Sequence, residues 1–364
     1  MTHPAPLDPA AFAGPGQGRP IRLLMLQSPG GLRAAVCTHG ARLLQLVVPG
    51  RGGDWHDVVL GHDSLAQLRA GLPSMGAIVG RYANRIAHAR FVLDGRTWTL
   101  PPNDGPHCLH GGPAGSRHQV FEVLSQSAEH ALLRWTFHPE EDGFPGTLRL
   151  DVSYRLRDPG ELAIGWRAQA LDAPTVLNVT AHPYFNLEGQ SSPHARGHCI
   201  AIACDHVLPV DPGRIPTGEL LPVDGTPWDL REGPDLASAL ARLARGAPDT
   251  RGFDHCWVAT LQPRPGVLRR LARAVAPATG IVLEAWSDAP GLQFFTASGL
   301  DGSAPRHCGK GGRRYGPEAG FCLEPQQLPD APNQPAFPPT RLEAGEQRQG
   351  EIAYRFSVEG PAAA

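Results

Sequence analysis

The segment NVTAHPYFNLEG (178–189) sets an imidazole, His182, between an apolar run and the aromatic pair Tyr184 and Phe185. Histidine changes charge near neutral pH, so His182 is either an ordinary strand-end histidine or a proton donor at the mouth of a sandwich. A second titratable group stands in GFCLEPQQLPDAPNQPAFPP (320–339), where Glu324 is flanked by Phe321 and Leu323. Apolar flanks strip water from a carboxylate, raise its pKa and make it a useful base; an edge-strand glutamate reads the same way. In LHGG (109–112), His110 precedes two glycines, which form a plain turn or let backbone approach a ligand closely. GRYANRIAHARF (80–91) gathers Arg81, Asn84 and Arg85. Guanidinium forks and an amide suit hydroxyl or carboxylate recognition, and equally a surface loop. RGFDHCWV (251–258) offers Asp254, a carboxylate able to accept from two sugar hydroxyls or a solvated acid at a strand start.

Other signals carry less. HCLH (107–110) lacks the second close pair that a zinc site needs. Cys199 and Cys204 lie in a strand-like run and read as small core residues. GKGGRRYG (309–316) has Gly311 where a phosphate-binding loop needs Ser or Thr, so it reads as a glycine-rich turn. No GxSxG occurs.

Strands must position these groups. ARFVLDGRTWTL (89–100) is a hairpin, two β-prone runs around Asp94-Gly95. QVFEVLSQ, HALLRWTFHP, TLRLDVSYRLRD, ELAIGWRAQA and TVLNVTAH follow, with near period-two alternation. HCIAIACDHVLPV, GIVLEAWSD, LQFFTASG and GFCLEP continue it. Helical signals are confined to 234–247, with Leu236, Leu240 and Leu243 in one stripe, and 63–71, with Asp63 or Ser64 as N-cap. Many short strands with little helix predict an all-β fold, a large antiparallel β-sandwich with few short helices. The 43 glycines and 38 prolines in 364 residues supply its turns and stay below low-complexity levels. Residues 1–20 are rich in Pro, Ala and Gly and are expected to form a flexible N-terminal tail, with one domain over 21–360.

A net charge of −2 gives no pull toward nucleic acid or an anionic membrane surface. Lys310 is the only lysine, which reads as codon bias rather than as a phosphate signal. Seven scattered cysteines argue against a disulfide framework and for a reducing compartment, hence the cytoplasm. Neither a signal peptide nor an 18-residue apolar run is visible.

Taken in order, GRYANRI, LDGRTWTLPPNDGPHCLHGG, EDGFPGTLRLDVSYRL, NVTAHPYFNL, LPVDPGRIPTGELLPVDGTPWDLR, RGFDHCW, GLQFFTASGLDG and GFCLEPQQLPDAPNQPAFP resemble the aldose 1-epimerase (galactose mutarotase) family. The resemblance spans about residues 35–355. It implies a galactose mutarotase-like supersandwich with an open sugar cleft, no cofactor and no metal. It implies exchange of the α and β anomers of free aldohexoses such as glucose and galactose through the open-chain aldehyde. The family's catalytic glutamate falls on Glu324, its general-acid histidine on His182 and its second active-site histidine on His110. Its sugar-binding residues fall on Asn84, Arg85, Asp254 and Gln293. The implied roles are Glu324 as base at O1 and protonated His182 as acid at O5, with His110 and Arg85 near the reacting oxygens. Tyr184, Phe185 and Trp228 are sugar-facing or core residues, core packing being the simpler reading. AHPYFNL stands where the family reads NHSYFNL, LEPQ where it reads LETQ, and FTAS where it reads YTGN. These changes spare the proposed acid and base and bear on sugar preference.

Two alternatives remain on sequence grounds. A hexose-6-phosphate 1-epimerase would recruit cations such as Arg81, Arg313 and Arg314. A non-catalytic sugar-binding sandwich would bind without anomer exchange. The expected partner is a small aldose, with no nucleic acid or membrane, in a monomer or homodimer.

Overall fold

The computed structural model describes residues 3–360. Strands dominate it. In chain order they include β1 (Leu23–Gln27), β2 (Arg33–Cys37), β3 (Arg42–Pro49) and β4 (Trp55–Asp57). After helix α1 (Leu65–Ala70) come β5 (Glu122–Gln126), β6 (His130–Phe137), β7 (Leu148–Arg157), β8 (Glu161–Ala170), β9 (Cys199–Ile202), β10 (His206–Val207) and β11 (Leu221–Pro222). After α2 (Leu236–Gly246) come β12 (Asp254–Val258), β13 (Arg269–Val275), β14 (Ile281–Ser287), β15 (Gly291–Phe295), β16 (Cys322–Gln326) and β17 (Gln347–Val358).

Three sheets organise the molecule. An eight-stranded antiparallel sheet runs β5-β6-β7-β8-β17-β14-β13-β9, a five-stranded sheet runs β11-β10-β12-β15-β16, and β1 to β4 form a meander. Strict alternation builds the largest sheet: Leu148, Leu150, Val152, Tyr154 and Leu156 of β7 are buried while their neighbours are not. One core draws on all three sheets, with Leu24, Val36 and Leu46 meeting Leu150, Ile164, Leu283 and Ile352, and Trp257, Phe294 and Leu323. The supersandwich expected from the sequence is therefore present. So is the 90–99 hairpin, where Asp94 and Gly95 both take positive φ. Asp235 caps α2 and Ser64 caps α1. TVLNVTAH gives less strand than its apolar pattern predicts, only the short pieces Thr175–Val176 and Thr180–Ala181.

The N-terminal head corrects an expectation. Residues 3–20 do not form a loose tail. Asp8 caps a 3-10 turn (Pro9–Phe12), and Phe12 is fully buried against Leu44, Leu65, Leu68 and Val120. Arg33 and Gln45 donate to the carbonyls of Pro4 and Ala5. Two apolar anchors, Leu7 and Phe12, outweigh a composition that reads as disordered.

Lys310 does more than sit in a glycine turn. It is buried and spends all three ammonium protons, on the Leu44 carbonyl at 2.8 Å, the Val59 carbonyl at 2.8 Å and Asp57 Oδ2 at 2.6 Å. It thereby ties the 310 turn to β3, β4 and the segment after it. Replacing it by methionine leaves Asp57 charged and buried without its cation. Lys310→Met is expected to cost about 3–5 kcal/mol of unfolding free energy in urea titrations. A loss under about 1 kcal/mol would show that the pair does not anchor the turn.

Candidate active site

Register across three strands assembles half of the site. Gln293 of β15 lies opposite Cys256 of β12 on one side and Glu324 of β16 on the other. The adjoining row is Asp254, Phe295 and Cys322. Alternation puts both rows on one face, while Trp257, Phe294 and Leu323 point into the main core. Tyr354 of β17 reinforces the register, donating its hydroxyl to the Leu323 carbonyl at 2.7 Å. Pro325 lacks a ladder donor and is tolerated because β16 is an edge strand.

Loops bring the other half. His182 follows the Thr180–Ala181 strand, which pairs with Ile78–Val79. Its peptide group bonds to Ala77 O and Gly76 N. Asn178 and Thr180 tie this segment to the others. The Asn178 amide donates to Ala83 O and Gln327 O and accepts from Gln327 N; Thr180 donates to Pro325 O. His110 is held twice by Asn84: His110 N donates to Asn84 O, and Asn84 N donates to His110 Nδ1 at 3.1 Å. Because a backbone N–H only donates, Nδ1 is unprotonated and neutral His110 presents Nε2–H as a donor. The LHGG glycine is explained here, since a Cβ on Gly111, at φ 76°, would lie 2.6 Å from Gly80 O.

The candidate acid and base then meet. His182 Nε2 lies 3.6 Å from Glu324 Oε2, and its Nδ1 lies 3.4 Å from Cys322 Sγ. Tyr184 stacks on the His182 ring, and His110 and Phe295 meet it edge-on. Glu324 is 2 % exposed, and no described residue donates a hydrogen bond to its carboxylate. Burial, with a contribution from the Asp254 charge, pushes the Glu324 carboxyl well above its usual range. Burial pushes His182 down to about 4 and His110 well below its ordinary value. Although 3.6 Å is within ion-pair range, dehydration of both groups outweighs an attraction that no short hydrogen bond supports. Burial therefore disfavours charge on both groups, the carboxylate of Glu324 and the imidazolium of His182 alike.

The sugar-binding candidates cluster at the neighbouring cleft. Asn84, Arg85, Asp254 and Gln293 line it together with Arg214 and His255. Gln293 Nε2 donates to Asp254 Oδ1 at 2.7 Å and Arg214 Nη1 to Asp254 Oδ2 at 2.8 Å. Arg85 Nε pairs with Asp104 Oδ2 at 2.7 Å. Arg81 belongs elsewhere: it is fully buried, with Nε and Nη2 on the Asp142 carboxylate and Nη1 on backbone carbonyls. It is thus not free to bind a phosphate. Phe185 is a core residue, and Trp228 packs edge-on against His255. Sequence reasoning missed Arg214, whose turn gives no sign of reaching Asp254, and Cys322, which strand alternation from Glu324 could have revealed.

The donor atoms of His182, Cys322 and Glu324 all lie within 4.8 Å of one another, dense enough to consider a shared ion. However, the imidazole turns Nδ1 to the sulfur and Nε2 to the carboxylate, so one ion would need the ring to rotate.

A supersandwich carrying a buried carboxyl–imidazole pair beside a polar cleft has the groups that an acid–base isomerase needs. The sequence profile described as "Aldose 1-epimerase" matches residues 22–355, and the chain belongs to that family. It is 41 % identical to a galactose mutarotase of Bos taurus over 332 residues, covering 90 % of this chain and 92 % of the other. It is 34 % identical to the aldose 1-epimerase of Escherichia coli (strain K12), covering 94 % and 97 % of the two chains. Among solved structures, an aldose epimerase homologue from C. elegans superposes with a TM-score of 0.84 at 30 % identity, over 93 % of this chain and all of that one.

Keeping Glu324 dry costs stability. A folded-state pKa above the unfolded value contributes stability that is full below the unfolded pKa and lost as pH rises through the folded one. Glutamine keeps the shape without the charge. Glu324→Gln is expected to raise Tm by about 1–3 °C at pH 8 and to leave it near wild type at pH 4, in calorimetric scans. A variant less stable than wild type at pH 8 would contradict the dehydrated carboxylate.

Proposed function

We propose that this chain interconverts the α and β anomers of free aldohexoses such as glucose and galactose, with Glu324 and His182 as the base and acid. The observation that carries the reading is the 3.6 Å approach of these two groups in a dry site beside the Asp254–Gln293 cleft. One proton is shared by the pair. Sugar binding draws it to His182, because O1–H donates to the Glu324 carboxylate while O5 accepts from His182 Nε2–H. Ring opening then moves the O1 proton to Glu324 and the Nε2 proton to O5, as the C1–O5 bond breaks and C1=O1 forms. Rotation about C1–C2 presents the other aldehyde face, and the same transfers reversed close the opposite anomer.

Opening therefore ends with neutral Glu324 and neutral His182, the state that burial favours. Dehydration lowers the cost of reaching the open chain. His110 donates Nε2–H near the reacting oxygens; Asp254, Gln293, Asn84 and Arg85 hold hydroxyls away from C1. Arg214 occupies one Asp254 oxygen, so an incoming hydroxyl exchanges with it or uses a second lone pair. All seven cysteines are free, which supports a reducing compartment such as the cytoplasm.

Polarimetry of freshly dissolved α-D-glucose and α-D-galactose tests the activity: protein should speed the approach to an unchanged final rotation. His182→Ala and Glu324→Ala should each lose about 10²- to 10⁴-fold in kcat while staying folded. Turnover like wild type in either would reject the mechanism, and binding without acceleration would establish a sugar-binding module instead.

The pH profile follows from the same pair. His182 takes up a second proton only near pH 4, and the shared proton leaves well above the usual carboxylate range. We expect kcat/KM to fall on the acid side toward pH 4, and to fall again at higher pH as the pair loses its shared proton. A midpoint near 6.5 on the acid side would mean that burial does not set the His182 basicity.

A further inference from the structure

Cys322 and Glu324 are two residues apart on β16 and share a face. The His182 ring lies between them, with Nδ1 at 3.4 Å from the sulfur and Nε2 at 3.6 Å from the carboxylate. In many acid–base histidines a carboxylate or carbonyl backs the ring nitrogen that faces away from the chemistry, fixing the tautomer and raising basicity. Here a thiol holds that seat. We propose that Cys322 is a positioning residue: its sulfur receives Nδ1–H of His182 and so presents Nε2 to Glu324 and the sugar. Resting on the acid–base roles given above, this explains why the acid is a ready proton donor. Sulfur is a weak acceptor, so it orients the ring without stabilising the imidazolium.

The ring also feels its own backbone carbonyl, which favours the imidazolium, so the thiol is the side chain, not the sole acceptor, that faces Nδ1. Tyr184 covers one face, and Phe295 and neutral His110 stand edge-on. The charges that act on it are those of Asp254, Arg117 and Arg42, the first favouring the imidazolium and the other two opposing it. Burial holds the Cys322 thiol far above its ordinary pKa, so it remains S–H and adds no charge.

Cys322→Ser tests the proposal, because a hydroxyl is a stronger acceptor in the same place. The acid limb of kcat/KM should move up by about 0.5–1 pH unit, as the imidazolium gains a better partner. Cys322→Ala should not move it upward. A purely structural role would lower Tm or scale kcat evenly with the limb unmoved, and that outcome in a folded Cys322→Ser protein overturns the proposal. A second measurement needs neither variant nor turnover. Nitrogen-15 shifts of the His182 ring in the wild-type protein near pH 7 should show Nδ1 protonated and Nε2 bare, whereas the Nε2–H tautomer overturns it. Wild-type polarimetry separates the two failures: a protein that anomerises sugars with the wrong tautomer refutes the thiol's role alone.

Discussion

The register of β12, β15 and β16 is the constraint from which the site follows. Cys256, Gln293 and Glu324 stand in one row and Asp254, Phe295 and Cys322 in the next. A slip of one residue would turn Glu324 into the core and Leu323 into the cleft. The fold resists that slip from both sides. Trp257, Phe294 and Leu323 are locked into the main core, and the Tyr354 hydroxyl fixes the Leu323 carbonyl. The loops are cut to this frame, with Thr180 and Asn178 bonding the backbone of Pro325 and Gln327, just after Glu324, and so setting the distance at which His182 arrives.

Dryness is the second half of the design. A solvated glutamate and histidine at neutral pH would sit as carboxylate and imidazole with no particular preference for exchanging protons with a sugar. Burial on an edge strand, beneath Tyr184 and Phe295, makes charge on either group costly. In the proposed mechanism the transfer that opens the ring discharges both at once. On that mechanism the least comfortable protonation state precedes the chemistry and the most comfortable one follows it. The two groups stand 3.6 Å apart, a gap that in the proposed mechanism lets each reach its own sugar oxygen.

Much of this was legible in the sequence, for reasons that differ by residue. The alternation of β7, the Asp94-Gly95 turn and the capped helices are local patterns, and local physics decides them. The candidate site residues His182, Glu324 and Asp254 were visible as ionisable groups beside apolar runs, and the ordered motifs around them carried the family resemblance. Three things were not legible. The packing of the head depends on Phe12 finding a pocket among Leu44, Leu65 and Val120, which no local pattern announces. Arg81 looked like a ligand because composition does not reveal that Asp142, 61 residues away, closes on it. The Arg214–Asp254 contact joins positions 40 apart through a turn whose direction is set by tertiary packing.

The solitary lysine has a consequence beyond tying a turn. An open-chain aldose carries a free aldehyde, and aldehydes condense with unprotonated amines to form Schiff bases. Lys310, the one lysine in the sequence, is sealed from solvent with its three protons committed to acceptors. The remaining basic side chains that carry a permanent charge are arginines, whose guanidinium groups stay protonated and do not attack carbonyls in this way. A protein that works among reducing sugars, and hastens their passage through the reactive form, thus presents no lysine amine for glycation.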